Sequence, residues 1–142
     1  MGGTASYPPH QYLSHAGELI TNASPLHKQS KILYKGNQIY VDKGMVRVLQ
    51  YFWNIGIDTC YSCQGNVGTQ PLYILFSNHK ILTFLSLIKD TKLYNFVKTK
   101  CFVRRYDYNQ IYFSMDPCSK NDFEIFLYSQ EPPKSLLITH GN

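Results

Sequence analysis

Residues Leu72–Phe76 read Leu-Tyr-Ile-Leu-Phe, a nearly continuous apolar run of strand length. A run without polar alternation has to be covered on both of its faces, which makes it a central strand of a sheet. The rest of the chain must therefore supply neighbouring strands and the helices that bury them. With 142 residues there is room for one core and not for two. A hydrophobic share of 44% with 15% aromatic residues excludes a disordered chain, and 16% charge excludes a coiled coil.

Around that strand the pattern alternates regularly. Ile32-Leu33-Tyr34 and Gln38–Val41 flank Lys35-Gly36-Asn37, a short Gly-Asn connection that predicts a hairpin. Asp42 is placed to cap a helix starting near Gly44, in which Met45, Val48, Leu49 and Phe52 recur at i, i+3, i+4 and i+7 on one buried face. Asn54 and Gly56 end it. Ile57–Ser62 is expected as a strand with faces Ile57/Thr59/Tyr61 and Asp58/Cys60/Ser62, and a loop follows. Beyond the central strand, Asn78 can cap a second helix over about 79–89, with a further helical turn at Leu93–Val97. Cys101–Tyr106 and Ile111–Met115 predict a second hairpin, and Ser119-Lys120-Asn121-Asp122 resembles a capping box opening a helix over about 120–129. The order ββ-α-β-β-α-β-β-α implies an α+β fold: a single domain with a mainly antiparallel sheet and helices packed on one face. The expected organisation is an irregular arm at 1–29, the domain at 30–130, and a tail at 131–142.

Positive charge is uneven. The chain carries a net +5, yet residues 80–105 alone hold seven lysines and arginines against Asp90. Residues 106–142 are net acidic. A basic block on a helix and the next strand makes a face that attracts phosphates by counterion release. Twelve tyrosines add to this, because aromatics beside cations stack bases.

The most distinctive stretch is Gly56-Ile57-Asp58-Thr59-Cys60-Tyr61-Ser62-Cys63-Gln64-Gly65-Asn66. A strand ends here in a loop where Ser62, Gln64 and Asn66 offer donors and acceptors and Gly65 leaves room for a ligand. The spacing is not that of a nucleotide-triphosphate-binding loop. The segment resembles a G-x-x-T-x-x-S-C-x-G pattern of small phage and bacterial proteins. It resembles more distantly the S-S-C-S-G-R motif of the tRNA wybutosine-synthesising methyltransferase family, through Ser62, Cys63 and Gly65 with Thr59 as looser support. Gln64 and Asn66 stand where that motif has a small residue and an arginine. The resemblance implies an α/β domain handling S-adenosylmethionine and tRNA, and a phage or viral origin.

Cys60 and Cys63 form a C-x-x-C pair. A four-thiolate zinc site would also need Cys101 and Cys118, which lack knuckle spacing. A redox pair would need a helix N-terminus. A packing or positioning role is expected instead, with no metal and no cofactor. A cysteine nucleophile would need a histidine, and His79 is the one histidine inside the domain; His10, His15, His27 and His140 fall in arm and tail. No catalytic residue is assigned.

These features lead to an expected binding module for an anionic ligand, a nucleotide or RNA, contacted by Thr59, Ser62, Cys63, Gln64, Gly65, Asn66, Arg104 and Arg105. A virus could use such a module to sequester a nucleotide signal. The alternatives are an RNA-modifying enzyme and a structural protein with a basic face. No stretch has the roughly 18 apolar residues of a membrane span, and no secretory signal is read at the N-terminus. Sparse cysteines suggest reduced thiols, so a cytoplasmic location is expected, in the host if the protein is viral. Met1-Gly2 with Ser6 fits the N-myristoylation pattern, which predicts a weak, reversible lipid anchor at Gly2.

Overall fold

The computed structural model describes residues 27–131 and Pro133, together with the backbone of Tyr12–Leu13 and Leu19–Ile20. Gly2, most of the 1–29 arm and nearly all of the 131–142 tail lie outside the described residues. Within the arm, β1 (Tyr12–Leu13) pairs antiparallel with β2 (Leu19–Ile20), and β1 lies against the later strand at 37–42.

The first hairpin is β3 (Gln29–Tyr34) and β4 (Asn37–Asp42), joined by the two residues Lys35 and Gly36. Both have positive φ, 52° and 80°, the conformation that a tight turn between twisted strands requires. A 3-10 turn, Lys43–Met45, leads into α1 (Val46–Asn54). The next elements are β5 (Thr59–Cys63), β6 (Leu72–Phe76), α2 (Lys80–Leu87) and α3 (Lys92–Lys100). A second hairpin, β7 (Cys101–Arg105) and β8 (Ile111–Met115), precedes α4 (Lys120–Ser129). The α+β architecture and the order of elements follow the expectation from sequence.

Strands β5, β6, β8 and β7 form one antiparallel sheet in that spatial order, so the apolar β6 is central and β5 and β7 are its edges. The first hairpin is a separate two-stranded sheet, not an extension of the four. Side-chain bonds join it to the rest instead. Tyr34 stacks on Trp53 at 4.0 Å and donates its hydroxyl to Asp58 at 2.9 Å, while the Thr59 N–H donates to that hydroxyl at 3.3 Å.

The four helices among the described residues bury one face of the sheet. Leu72, Ile74 and Phe76 from β6 and Ile111, Phe113 and Met115 from β8 point into that core. Helix α1 contributes Val48, Leu49 and Phe52 with Met45 just before it, the four positions spaced for one helical face. Phe52 meets Phe76 edge-on at 5.1 Å and Phe84 of α2 at 5.8 Å, and Phe113 meets Phe123 of α4 at 5.5 Å. Such ring pairs add to the area they bury.

Two expected caps differ. Asp42 makes no capping bond, because its carboxylate is engaged elsewhere, and Ser119 makes none either. Asp116 accepts from the Cys118 N–H at 2.9 Å, so it starts the turn that feeds α4. Asn78 accepts from Lys80 N–H at 2.8 Å at the start of α2, as expected. No helix among the described residues is long and apolar enough to cross a membrane.

Phe52 sits at the centre of the aromatic contacts and is 1% exposed. Phe52→Ala is expected to lower stability by about 3–5 kcal/mol, read from the midpoint of urea unfolding followed by circular dichroism.

Candidate functional site on the second sheet face

Alternation along each strand sends every second side chain away from the helices. The ladder register places Cys63, Tyr73, Ser114 and Phe102 in one row across the second face. The neighbouring row is Tyr61, Leu75, Tyr112 and Arg104. Within these rows Tyr73 and Tyr112 stack at 5.8 Å, and Tyr106 continues the stack onto Tyr112 at 6.5 Å. The Arg104 guanidinium lies over the Tyr112 ring at 4.9 Å and near Tyr106 at 5.9 Å. Phe102 and Tyr106 are each 56% exposed. Phe102 shares its strand with the exposed Arg104 and Arg105, and only Cys101 and Val103 there are half-buried.

Strand β5 reaches this arrangement through a bulge. Thr59 pairs with Phe76 and Tyr61 with Leu75, so one extra residue sits between them. Thr59 is therefore buried on the helix side, where the Trp53 indole N–H donates to its hydroxyl at 2.9 Å, while Tyr61 turns to the second face. The expected shared face of Thr59 and Tyr61 is corrected accordingly.

The remaining expected ligand contacts divide in the same way. Ser62 falls in the row of Ile74, on the helix side, and Cys63 falls on the second face. Gln64 turns back on the chain: its side-chain Oε1 accepts from Gly44 N–H at 3.0 Å and its own N–H donates to Asp42 at 2.9 Å. Asn66 donates its amide to Gln70 at 3.1 Å across the small turn at 66–70. Gly65 has φ +72°, and a Cβ there would lie 2.6 Å from the backbone of Pro71 and Leu72. The glycine thus lets the chain pass its own next strand, and backbone rather than a ligand fills the space beside it. Arg104 shares the face of Cys63 from the opposite edge of the sheet, whereas Arg105 pairs with Ile111 in a helix-side row.

Only part of the basic block borders edge strand β7; Lys80 instead donates to the Gly56 carbonyl at 3.3 Å. Lys89 and Lys98 border a groove of about 520 Å³ between α2, α3 and β7, with Cys101 and Val103 on its wall. Burial pushes the Cys101 thiol up to about 12. Among the described residues, no ion pair engages a lysine or arginine of 80–105.

At the other edge, the ends of β4 and β5 meet. Asp42 is buried, and its two carboxylate oxygens accept from the Gln29 side-chain amide and the Gln64 N–H. Beside it lie Cys63 and the buried His27; one donor atom of each residue lies within 4.8 Å of the others. Burial raises the Cys63 thiol pKa above its usual range, the Gly65 N–H at 3.4 Å from the sulfur opposes that, and the Asp42 carboxylate adds to the rise. Burial raises Tyr73 too, followed by the nearby Cys63. All four cysteines in the domain are free thiols. His79, the histidine that sequence offers to Cys63, is not in this group. His27 was beyond reach of sequence reading, since it precedes the first hairpin and nothing in its spacing ties it to residue 63.

Comparisons with family models, with curated proteins and with solved structures return no match for this chain.

The glycines offer a direct check of the loop. Gly68 also has positive φ, but an added Cβ would meet nothing within 4 Å. Gly68→Ala should cost roughly 1–2 kcal/mol from left-handed backbone strain alone. Gly65→Ala should cost clearly more, because the same strain is joined by a backbone clash; paired urea titrations measure the difference.

Proposed function

We propose that this protein is a binding module for a nucleotide or single-stranded RNA, with the second face of the four-stranded sheet as its base platform. The observation that carries this reading is the Arg104 guanidinium stacked at 4.9 Å over Tyr112, in line with Tyr73 and beside the exposed Phe102. Four-stranded sheets with aromatics on an open face stack two or three unpaired bases in this manner, and arginine adds a cation–π surface. Four strands span roughly 14 Å, enough for two bases side by side.

Phosphates find their charge at the β7 edge. Arg104 and Arg105 on the strand and Lys89 and Lys98 behind it form a cationic border with no ion pair among the described residues. The backbone of a bound strand would run along this border while bases lie inward on the tyrosines. Binding of this kind needs no general base. The loop at 62–66 spends its N–H groups on Asp42, Cys63 and Gln70, whereas on the second face Leu75 and Ser114 are buried and Tyr61, Phe102 and Tyr106 are exposed around them.

Fluorescence anisotropy with short labelled RNA, and thermal shift with mononucleotides and S-adenosylmethionine, test the reading and separate its ligands. Tyr112→Ala and Phe102→Ala should each weaken RNA binding about 5- to 150-fold, the loss of one stacked base. Arg104→Ala should also flatten the dependence of log affinity on log salt by about 0.7, one phosphate contact to a single strand. Arg47→Ala, on the helix side and paired with Glu124, should change neither. The reading fails if RNA and nucleotides do not bind, or if Tyr112→Ala and Arg104→Ala bind like the parent chain.

A further inference from the structure

We propose that His27, Asp42 and Cys63 form a binding site for one divalent transition-metal ion of the zinc type. The inference is independent of nucleotide binding and concerns the opposite edge of the sheet.

Three arguments support it. The first is the donor set. Imidazole nitrogen, carboxylate oxygen and thiolate sulfur are the three side-chain ligands that zinc accepts, and the thiolate selects against magnesium and calcium. Three protein donors leave a tetrahedral ion one position for water or a ligand atom, as in reactive rather than purely structural sites.

The second is the geometry. Donors on a tetrahedral zinc ion stand roughly 3.3–3.6 Å apart, given its usual bond lengths. Here all three donor atoms lie within 4.8 Å of one another, from three separate segments of chain. A catalytic relay has a different shape: its carboxylate sits behind the histidine, remote from the nucleophile. In this protein the carboxylate lies against the thiol as well as the imidazole. A triangle of mutual neighbours is the shape of a coordination shell.

The third is the support around the donors. Asp42 is oriented by the Gln29 amide and by the Gln64 N–H at 2.9 Å, one on each oxygen. Cys63 receives the Gly65 N–H at 3.4 Å. Gln64 is itself held by Gly44 N–H at 3.0 Å. Metal sites are commonly tuned by such outer partners. His27 and Asp42 are 7% exposed each, so two of the three donors are already withdrawn from water.

Cobalt(II) titration of the full chain, kept reduced with a phosphine, tests the site without any nucleotide present. One equivalent should bind and give an intense near-ultraviolet sulfur-to-cobalt charge-transfer band with tetrahedral visible bands. Zinc should displace it and raise the unfolding temperature with concentration. Cys63→Ser should abolish the charge-transfer band, and His27→Gln should weaken binding at least 10-fold. Cys101→Ser and Cys118→Ser should leave both unchanged. His27 precedes the first hairpin, so His27→Gln keeps the test decisive if Cys63→Ser fails to fold. No cobalt uptake by the reduced parent chain overturns the proposal, and so does a band that survives in Cys63→Ser or disappears in Cys118→Ser.

Discussion

A buried carboxylate at the end of a strand needs donors, because an ion taken out of water without partners costs several kcal/mol. Asp42 finds them in the Gln29 amide of the adjoining strand and in the backbone N–H of Gln64 at the far end of β5. The second bond matters most for the architecture. The first hairpin shares no ladder with the four-stranded sheet, so its position relative to β5 depends on side-chain links and on Ile39 and Val41 packing into the common core. Asp42 fastens one end, with Gln64 reaching back to Gly44, and Tyr34 fastens the other through Asp58 and Thr59. Just beyond the Asp42 clamp, a donor atom of His27 is carried to within 4.8 Å of the Cys63 sulfur.

The four-stranded sheet divides the remaining work by face. Phe52, Phe76, Phe113 and Phe123 fill the helix-covered side with edge-on and tilted ring pairs. The other side carries hydroxylated rings and a guanidinium, groups that keep part of their hydration while presenting flat apolar area. The stability of the first face supplies the rigidity of the second. A stacking platform that had to order itself on binding would lose affinity to side-chain entropy.

Element type and order were legible from periodicity. Leu72–Phe76 is the central strand, Met45, Val48, Leu49 and Phe52 line one helical face, and the 101–115 hairpin stands where alternation puts it. Less of the site was legible. The residues between Thr59 and Asn66 drew attention by composition, yet their hydrogen bonds are mostly internal. Gln64, Gly65 and Asn66 hold the turn, and Thr59 is buried against Trp53. The bulge between Thr59 and Tyr61 adds one residue, and one residue exchanges the two faces of a strand. Nothing local in the sequence marks that insertion.

The sequence by itself determined a small α+β domain with an apolar central strand, a basic block at 80–105 and a cysteine beside a glycine turn. Those follow from local patterns, in which the period of two or 3.6 residues declares each element. Only the tertiary structure decided that Arg104 and not Arg105 joins the tyrosines, and that His27 and Asp42 meet Cys63. Strand register selects between adjacent arginines, and contact between segments 15 and 21 residues apart in sequence depends on where a hairpin docks. Docking is settled by core packing of Ile39 and Val41 and by bonds such as Gln64 N–H to Asp42, and no periodicity in the chain encodes that pairing.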